Sequence, residues 1–351
     1  MGCANSSSDS PIDSSRSICV GDTAVAPVKK TTLHYLEHAH QVAAMRTRLF
    51  PAPDLGDDGA RFHRHYLLYG GALGVGSFAT VYAGRHIETG RDVAIKIVKI
   101  GDDVESHARF MREVAIHGDC GHNPYIIRLL EVYPEVGVIV LQKATCNLLT
   151  FLAGKYESGL PICIARRALV QVAAAVDSLH GRAIVHGDLK LENVLLVGEH
   201  DASDPGRLFF SLGDFGSAFR VGTRRLKYGT RSWSPPETYR LIDGHAKETL
   251  GTAADVWAFG ILAYCLLTGV HPFFGLHRDD LRSAILAGAW NVAPRRVPDG
   301  ALPFLEMFFT LDPAHRVDIR RALAHPWLHG RDAPTAPLAA IPERTWSSSA
   351  E

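Results

Sequence analysis

The run His186-Gly187-Asp188-Leu189-Lys190-Leu191-Glu192-Asn193, followed downstream by Asp214-Phe215-Gly216, concentrates the chemistry of this chain. An acid, an amine two residues on and an amide three further can orient a hydroxyl, neutralise a migrating phosphoryl group and hold a metal ion. The second acid, set before a glycine, offers Mg²⁺ another oxygen ligand. Lysine and Mg²⁺ clamps around a positioned carboxylate are what phosphoryl transfer requires, because placement and charge do most of its catalysis.

Two upstream features belong with these. Gly74-Val75-Gly76-Ser77-Phe78-Ala79-Thr80-Val81 lies between two strand-like runs. Glycines let such a hairpin lie close over phosphates, its N–H groups turned toward the oxygens. Alone, the motif is equally an ordinary glycine-rich turn. Lys96 ends the apolar run Val93-Ala94-Ile95, where an unpaired buried ammonium would be costly. Glu113, on the helical stretch that follows, is its natural partner.

In order, Lys96, Glu113, Asp188, Lys190, Asn193 and Asp214 resemble the catalytic set of eukaryotic protein kinases. Ser234-Pro235-Pro236-Glu237 resembles the end of an activation segment, with Arg316 where that family places the glutamate's buried partner. Asp255-Val256-Trp257-Ala258-Phe259-Gly260 resembles the helix whose acid braces the catalytic loop. Ala324-His325-Pro326-Trp327-Leu328 resembles the closing helix of many serine/threonine kinases. Lys190 with Gly229-Thr230 points to the serine/threonine type, and the motifs together look most like the calmodulin-kinase group and PIM-like kinases.

The resemblance implies ATP and Mg²⁺ as cofactors and protein serines or threonines as acceptors. Asp188 would orient the substrate hydroxyl and Lys190 neutralise the γ-phosphate. Lys96 would contact the α- and β-phosphates with Glu113 holding it, and Asn193 and Asp214 would hold the metal ions. Gly74, Val75, Gly76, Ser77, Phe78, Val81, Ala94, Lys96, Leu141, Gln142, Ala144 and Leu195 would line the ATP site. Thr230, Glu237, Asp255 and Arg316 would be structural.

Four positions depart from the family pattern: Ala79 for the third glycine, Leu191 for a common proline, His117 for an aliphatic residue, and Gly187 for arginine. In arginine-bearing kinases a phosphate on the activation loop neutralises a basic pocket centred on that guanidinium. With Gly187, activity is expected not to depend strongly on activation-loop phosphorylation. The activation segment is itself basic (Arg220, Arg224, Arg225, Lys227, Arg231), which fits either a solvated loop or contact with an acidic partner. The competing functional reading is a pseudokinase acting as scaffold or allosteric partner; it requires loss of a catalytic group, and all six are present.

The elements that must position these groups can be read from patterning. Tyr66–Leu73, Ala79–Arg85 and Val93–Ile100 read as consecutive antiparallel strands, followed by a helix near His107–His117 and strands at Arg128–Tyr133 and Val138–Leu141. Apolar periodicity then predicts helices near 162–181, 253–268 and 301–310. The expected fold class is α+β, a bilobal protein-kinase fold with a β-rich small lobe (66–143) and a mostly helical large lobe (144–328). Residues 1–65 read as a flexible region and 329–351 as a disordered tail.

The 351 residues carry 37 basic and 37 acidic side chains, so no global charge argues for nucleic acid as a partner. Six scattered cysteines suit a reducing, cytoplasmic compartment. The run Val256–Val270 is too short to span a bilayer. Met1-Gly2-Cys3-Ala4-Asn5-Ser6 fits myristoylation at Gly2 with palmitoylation at Cys3, placing the chain at the cytoplasmic face of a membrane. One acyl chain binds only marginally, and residues 1–50 add a net charge of just +1, so Cys3 is the better second signal.

Overall fold

The computed structural model describes residues 55, 59–101, 103–156, 158–198, 204–223, 229–243, 249–276, 278–291 and 297–330. Gly2, Cys3, Arg224, Arg225, Lys227 and Tyr228 lie outside the described residues.

Strands β1 (Tyr66–Val75), β2 (Ala79–His86), β3 (Asp92–Val98), β4 (Leu129–Tyr133) and β5 (Val138–Gln142) form one antiparallel sheet in the order β1-β2-β3-β5-β4. Ahead of β1, the described residues include a short helix α1 (Ala60–His65), which the sequence reading assigns to a flexible region. A six-residue helix with one large apolar side chain leaves no periodicity to read. Phe62 nevertheless sits fully buried against Tyr66 and Tyr133, with ring centroids 5.6 and 5.4 Å away. Between β3 and β4 runs α2 (Val104–Asp119), capped by Asp103, whose side chain accepts from the Ser106 N–H at 2.7 Å.

The second lobe is mostly helical: α3 (Leu148–Lys155), α4 (Ile162–His180), α5 (Pro236–Ile242), α6 (Ala253–Thr268), α7 (Arg278–Ala287), α8 (Leu302–Glu306) and α9 (Ile319–Leu323). Every residue of α6 from Ala254 to Thr268 is buried, as a helix apolar on all sides must be. Among the described residues no helix is long and apolar enough to cross a membrane. The helix expected over 301–310 stops at Glu306. The Phe308 and Phe309 N–H groups then bond three residues back, to Leu305 and Glu306. That tighter turn delivers Phe308 to Phe259 and Phe309 to Trp257, with centroids 5.4 and 5.2 Å apart, burying both rings on α6.

Five short strands frame the chemical loops. β6 (Cys146–Asn147), β8 (Val194–Leu196) and β9 (Phe210–Leu212) make one small sheet, and β7 (Ile184–Val185) pairs with β10 (Phe219–Arg220). Residues 186–193 therefore run between β7 and β8, and 213–218 between β9 and β10. The architecture is the bilobal α+β arrangement expected.

Candidate functional site

The β1–β2 hairpin carries the glycine-rich segment. Gly74 and Val75 end β1, Gly76, Ser77 and Phe78 form the turn, and the Gly76 N–H closes it on the Ala79 carbonyl at 2.8 Å. Phe78 is exposed, with the Arg109 guanidinium of α2 over its ring at 4.2 Å. Register places Val81 opposite Lys96 and Ala94 opposite Leu141. Gln142 ends β5, Ala144 follows it, and Leu195 lies on β8. Ala94 is buried, and Val75, Val81, Leu141 and Leu195 are half-buried.

Lys96 is nine-tenths buried, and its ammonium is met twice: by Glu113 Oε1 at 2.5 Å and Asp214 Oδ1 at 2.7 Å. Burial disfavours the ammonium, but the Asp214 and Glu113 carboxylates outweigh it and raise the Lys96 pKa above its ordinary value. Burial likewise acts to raise the Asp214 pKa, and the Lys96 charge brings it well below the carboxylate range. One ammonium thus draws β3, α2 and the 214 turn together. Asp214 has φ +61°, a left-handed conformation uncommon for aspartate.

In the 186–193 loop, Asp188 is held by both oxygens. Oδ1 accepts from the Thr230 N–H and hydroxyl, each at 2.9 Å; Oδ2 accepts from Lys190 Nζ at 2.7 Å and Asn193 Nδ2 at 3.3 Å. Lys190 also donates to Thr230 Oγ1 at 2.9 Å, and Asn193 Nδ2 to the Asp188 carbonyl at 2.8 Å. Burial disfavours the Lys190 ammonium, yet the adjoining Asp188 raises its pKa. Thr230 approaches this closely because residue 229 is glycine. A Cβ there would lie 2.4 Å from Asp188 Oδ1 and 2.6 Å from the Gly187 carbonyl.

Two acids of the large lobe, buried Asp255 and partly buried Glu237, brace the loop and the segment that packs beside it. Asp255 accepts from the His186 N–H (2.8 Å), the Gly187 N–H (2.9 Å) and His180 Nε2 (3.0 Å). Burial works against its ionised form, and these donors hold it below the usual carboxylate range. Glu237 meets Arg316 in a two-point pair at 2.7 and 2.9 Å, with no exposed surface on the arginine side chain. Arg316 also donates to the Ala253 and Thr310 carbonyls, which ties the end of the 229–237 segment to α6.

Gly187 lies at φ +77°, where a Cβ would be 2.7 Å from the Ser217 carbonyl oxygen and 3.3 Å from the Phe219 ring. The room beside it holds Phe219, fully buried with Val185 and Leu250 and packed by Leu241. Next along the chain, Arg220 forms an ion pair with Asp119 at the end of α2. His117, also outside the catalytic reading of the sequence, is buried with Nε2 donating to the Ile127 carbonyl at 2.7 Å. Neither Phe219 nor His180 carried a sequence signal, because each matters through a neighbour distant in the chain.

The donor set suits a hard divalent cation that keeps its waters and shares phosphate oxygens. Among the described residues no cluster of three or more His, Cys, Asp or Glu side chains could cage a metal alone. Asp214 and Asn193 instead offer one carboxylate and one amide, as Mg²⁺ sites built partly by nucleotide do. Half of the Asp214 side-chain surface remains open.

The profile of the family described as protein kinase domain matches residues 68–328. Serine/threonine-protein kinase D3 of Mus musculus is 31% identical over 265 residues, 73% of this chain and 28% of that protein. Serine/threonine-protein kinase D2 of Rattus norvegicus is 31% identical over 267 residues, 73% of this chain and 29% of its own length. The hormonally up-regulated neu tumor-associated kinase of Mus musculus is 32% identical over 275 residues, covering 76% of this chain and 37% of that protein. This chain thus spans well under half the length of each of these relatives.

Proposed function

The chain belongs to the protein kinase family, and from that premise we propose that it transfers the γ-phosphoryl group of ATP to serine and threonine hydroxyls of protein substrates. The observation that carries this reading is the convergence on Asp188. Its carboxylate is locked by Thr230 and Asn193 and lies 2.7 Å from an ammonium, Lys190, that can follow charge as it moves. Asp188 orients the acceptor hydroxyl and takes its proton, Lys190 neutralises the transferring group, and Lys96 holds the inner phosphates while Glu113 holds Lys96. Asn193 and Asp214 would hold Mg²⁺, which when bound neutralises the phosphate oxygens and aligns them for in-line displacement. The scaffold alternative gains no support from the site, since none of the six groups is missing or turned away from the others. Labelled ATP offered with generic protein substrates tests the reading: label should enter serine and threonine, and Asp188→Asn should abolish it. Equal incorporation by that variant would refute the assignment.

Two finer features belong to the same reading. Activity does not require a phosphorylated activation loop, because no guanidinium occupies position 187 and an apolar plug around Phe219 fills the room beside it. Burying a phenylalanine contributes about 1.5–3 kcal/mol, a constant stabilisation where a phosphate switch would be conditional. Its motif similarity favours the calmodulin-kinase and PIM-like groups. Acylation at Gly2 and Cys3 tethers the chain to the cytoplasmic face of a membrane, where two acyl chains suffice and one does not.

A further inference from the structure

We propose that Arg109 is a positioning residue which latches Phe78, and so holds the glycine-rich turn down over the phosphates of a bound nucleotide; the proposal rests on the kinase reading above. Phe78 stands at the tip of that turn with 56% of its surface exposed. A ring left so open gains little from burial. The contact it makes is with charge. The half-buried Arg109 places its guanidinium 4.2 Å from the ring centroid, inside the range of a cation–π attraction.

Backbone bonds tie the turn to the sheet. The Gly76 N–H donates to the Ala79 carbonyl and the Lys99 N–H to the Phe78 carbonyl, each at 2.8 Å. Beyond them lies open space: a Cβ added at Gly74 would meet nothing within 4 Å. Glycines at 74 and 76 leave such a turn free to lift. The contact from α2 to Phe78 opposes that motion.

Helix α2 is a firm base for the latch. Asp103 caps its first turn, and the Ser106 hydroxyl accepts from the Gly101 N–H at 3.0 Å. Arg109 precedes Glu113 by one helical turn, so both project from one face of the helix. Glu113 holds Lys96 at 2.5 Å, deep in the cleft, while Arg109 holds Phe78 at its mouth. One helix thus sets both the lysine for the inner phosphates and the turn that covers them.

A turn held in place before the nucleotide arrives loses less freedom on binding it. The gain is bounded by the strength of the latch. A cation–π contact at an exposed site corresponds to about two- to fivefold in an equilibrium constant.

The test is a double-mutant cycle on the full chain: Arg109→Ala, Phe78→Ala and the two together, with Arg109→Lys as the conservative variant. Affinity for ADP with Mg²⁺ is measured by titration calorimetry, then kcat, ATP KM and peptide KM on a serine/threonine peptide. Arg109→Ala should raise the ADP dissociation constant and the ATP KM about two- to fivefold, and should weaken neither further once Phe78 is gone. Arg109→Lys, which keeps a cation for the ring, should fall between the parent and Arg109→Ala. Both kcat and peptide KM should stay within about twofold, because Asp188 and Lys190 are untouched. Melting temperature without nucleotide should move by less than about 2 °C, as for other surface substitutions. An Arg109→Ala chain that binds ADP and ATP like the parent overturns the proposal, as does an equal loss from Arg109→Ala with and without Phe78. A parent that binds ADP but transfers no phosphate defeats the kinase reading instead, and the ADP cycle still judges the latch; a parent that binds no ADP overturns both.

Discussion

His117 and His271 are both buried and both neutral in the folded chain. Burial pushes His117 down to about 4 and His271 to about 3. The His271 Nδ1 accepts the Phe273 N–H at 3.2 Å, and Nε2 meets no hydrogen-bond partner among the described residues. In each case the folded pKa lies below the ordinary histidine value of about 6.5. The unfolded chain therefore binds a proton first as pH drops. The contribution of each histidine is complete above that ordinary value and is lost as pH falls toward the folded one, at up to about 1.4 kcal/mol per pH unit. Urea denaturation at pH 7, 6 and 5 should show stability falling over this range, and a flat profile would contradict the burial of these rings. This sensitivity was not legible in the sequence. Asp188, Lys190, Asn193, Asp214, Lys96 and Glu113 were, since their types and spacing carry the chemistry directly. His117 was visible only as a departure, because what it touches lies on a strand and a turn far along the chain.

At the scale of elements, the Glu237–Arg316 ion pair ties the end of the 229–237 segment to the large lobe. Arg316 has no exposed side-chain surface and divides its donors between Glu237 and two carbonyls. Removing the carboxylate leaves a buried guanidinium uncompensated, so Glu237→Ala should cost about 3–5 kcal/mol in chemical denaturation. A loss under about 1 kcal/mol would mean that the two carbonyls alone satisfy Arg316. Strands β1–β5 and helices α2, α4 and α6 were legible because their apolar residues repeat with the period of the element. Helix α1 was not, as one phenylalanine among polar residues makes no period. The shortening of α8 was hidden for the opposite reason: Phe304, Leu305, Phe308 and Phe309 fit a helix equally well, and only the position of α6 decides that the chain turns.

For the whole molecule, location and switching are the open functional axes, and each has its own readout. Expressed in a eukaryotic cell, the parent should partition with membranes, while Gly2→Ala should release most of it to the soluble fraction; an unchanged membrane-bound share refutes the tether. On switching, the two lobes are joined through Lys96, Asp214 and the His117 and His186 imidazoles around Phe215, and the start of the activation segment is anchored by Phe219 and the Arg220–Asp119 pair. The most direct measurement is therefore the initial rate of peptide serine/threonine phosphorylation by phosphatase-treated chain, shown by mass to carry no phosphate and with Thr223, Tyr228 and Ser232 replaced by residues that cannot accept one, with Asp188→Asn run alongside. If, as proposed, activity does not depend strongly on that modification, the dephosphorylated, triply substituted chain should keep kcat/KM within about threefold of the parent. A rate no higher than that of Asp188→Asn would contradict the assembled, phosphate-independent site.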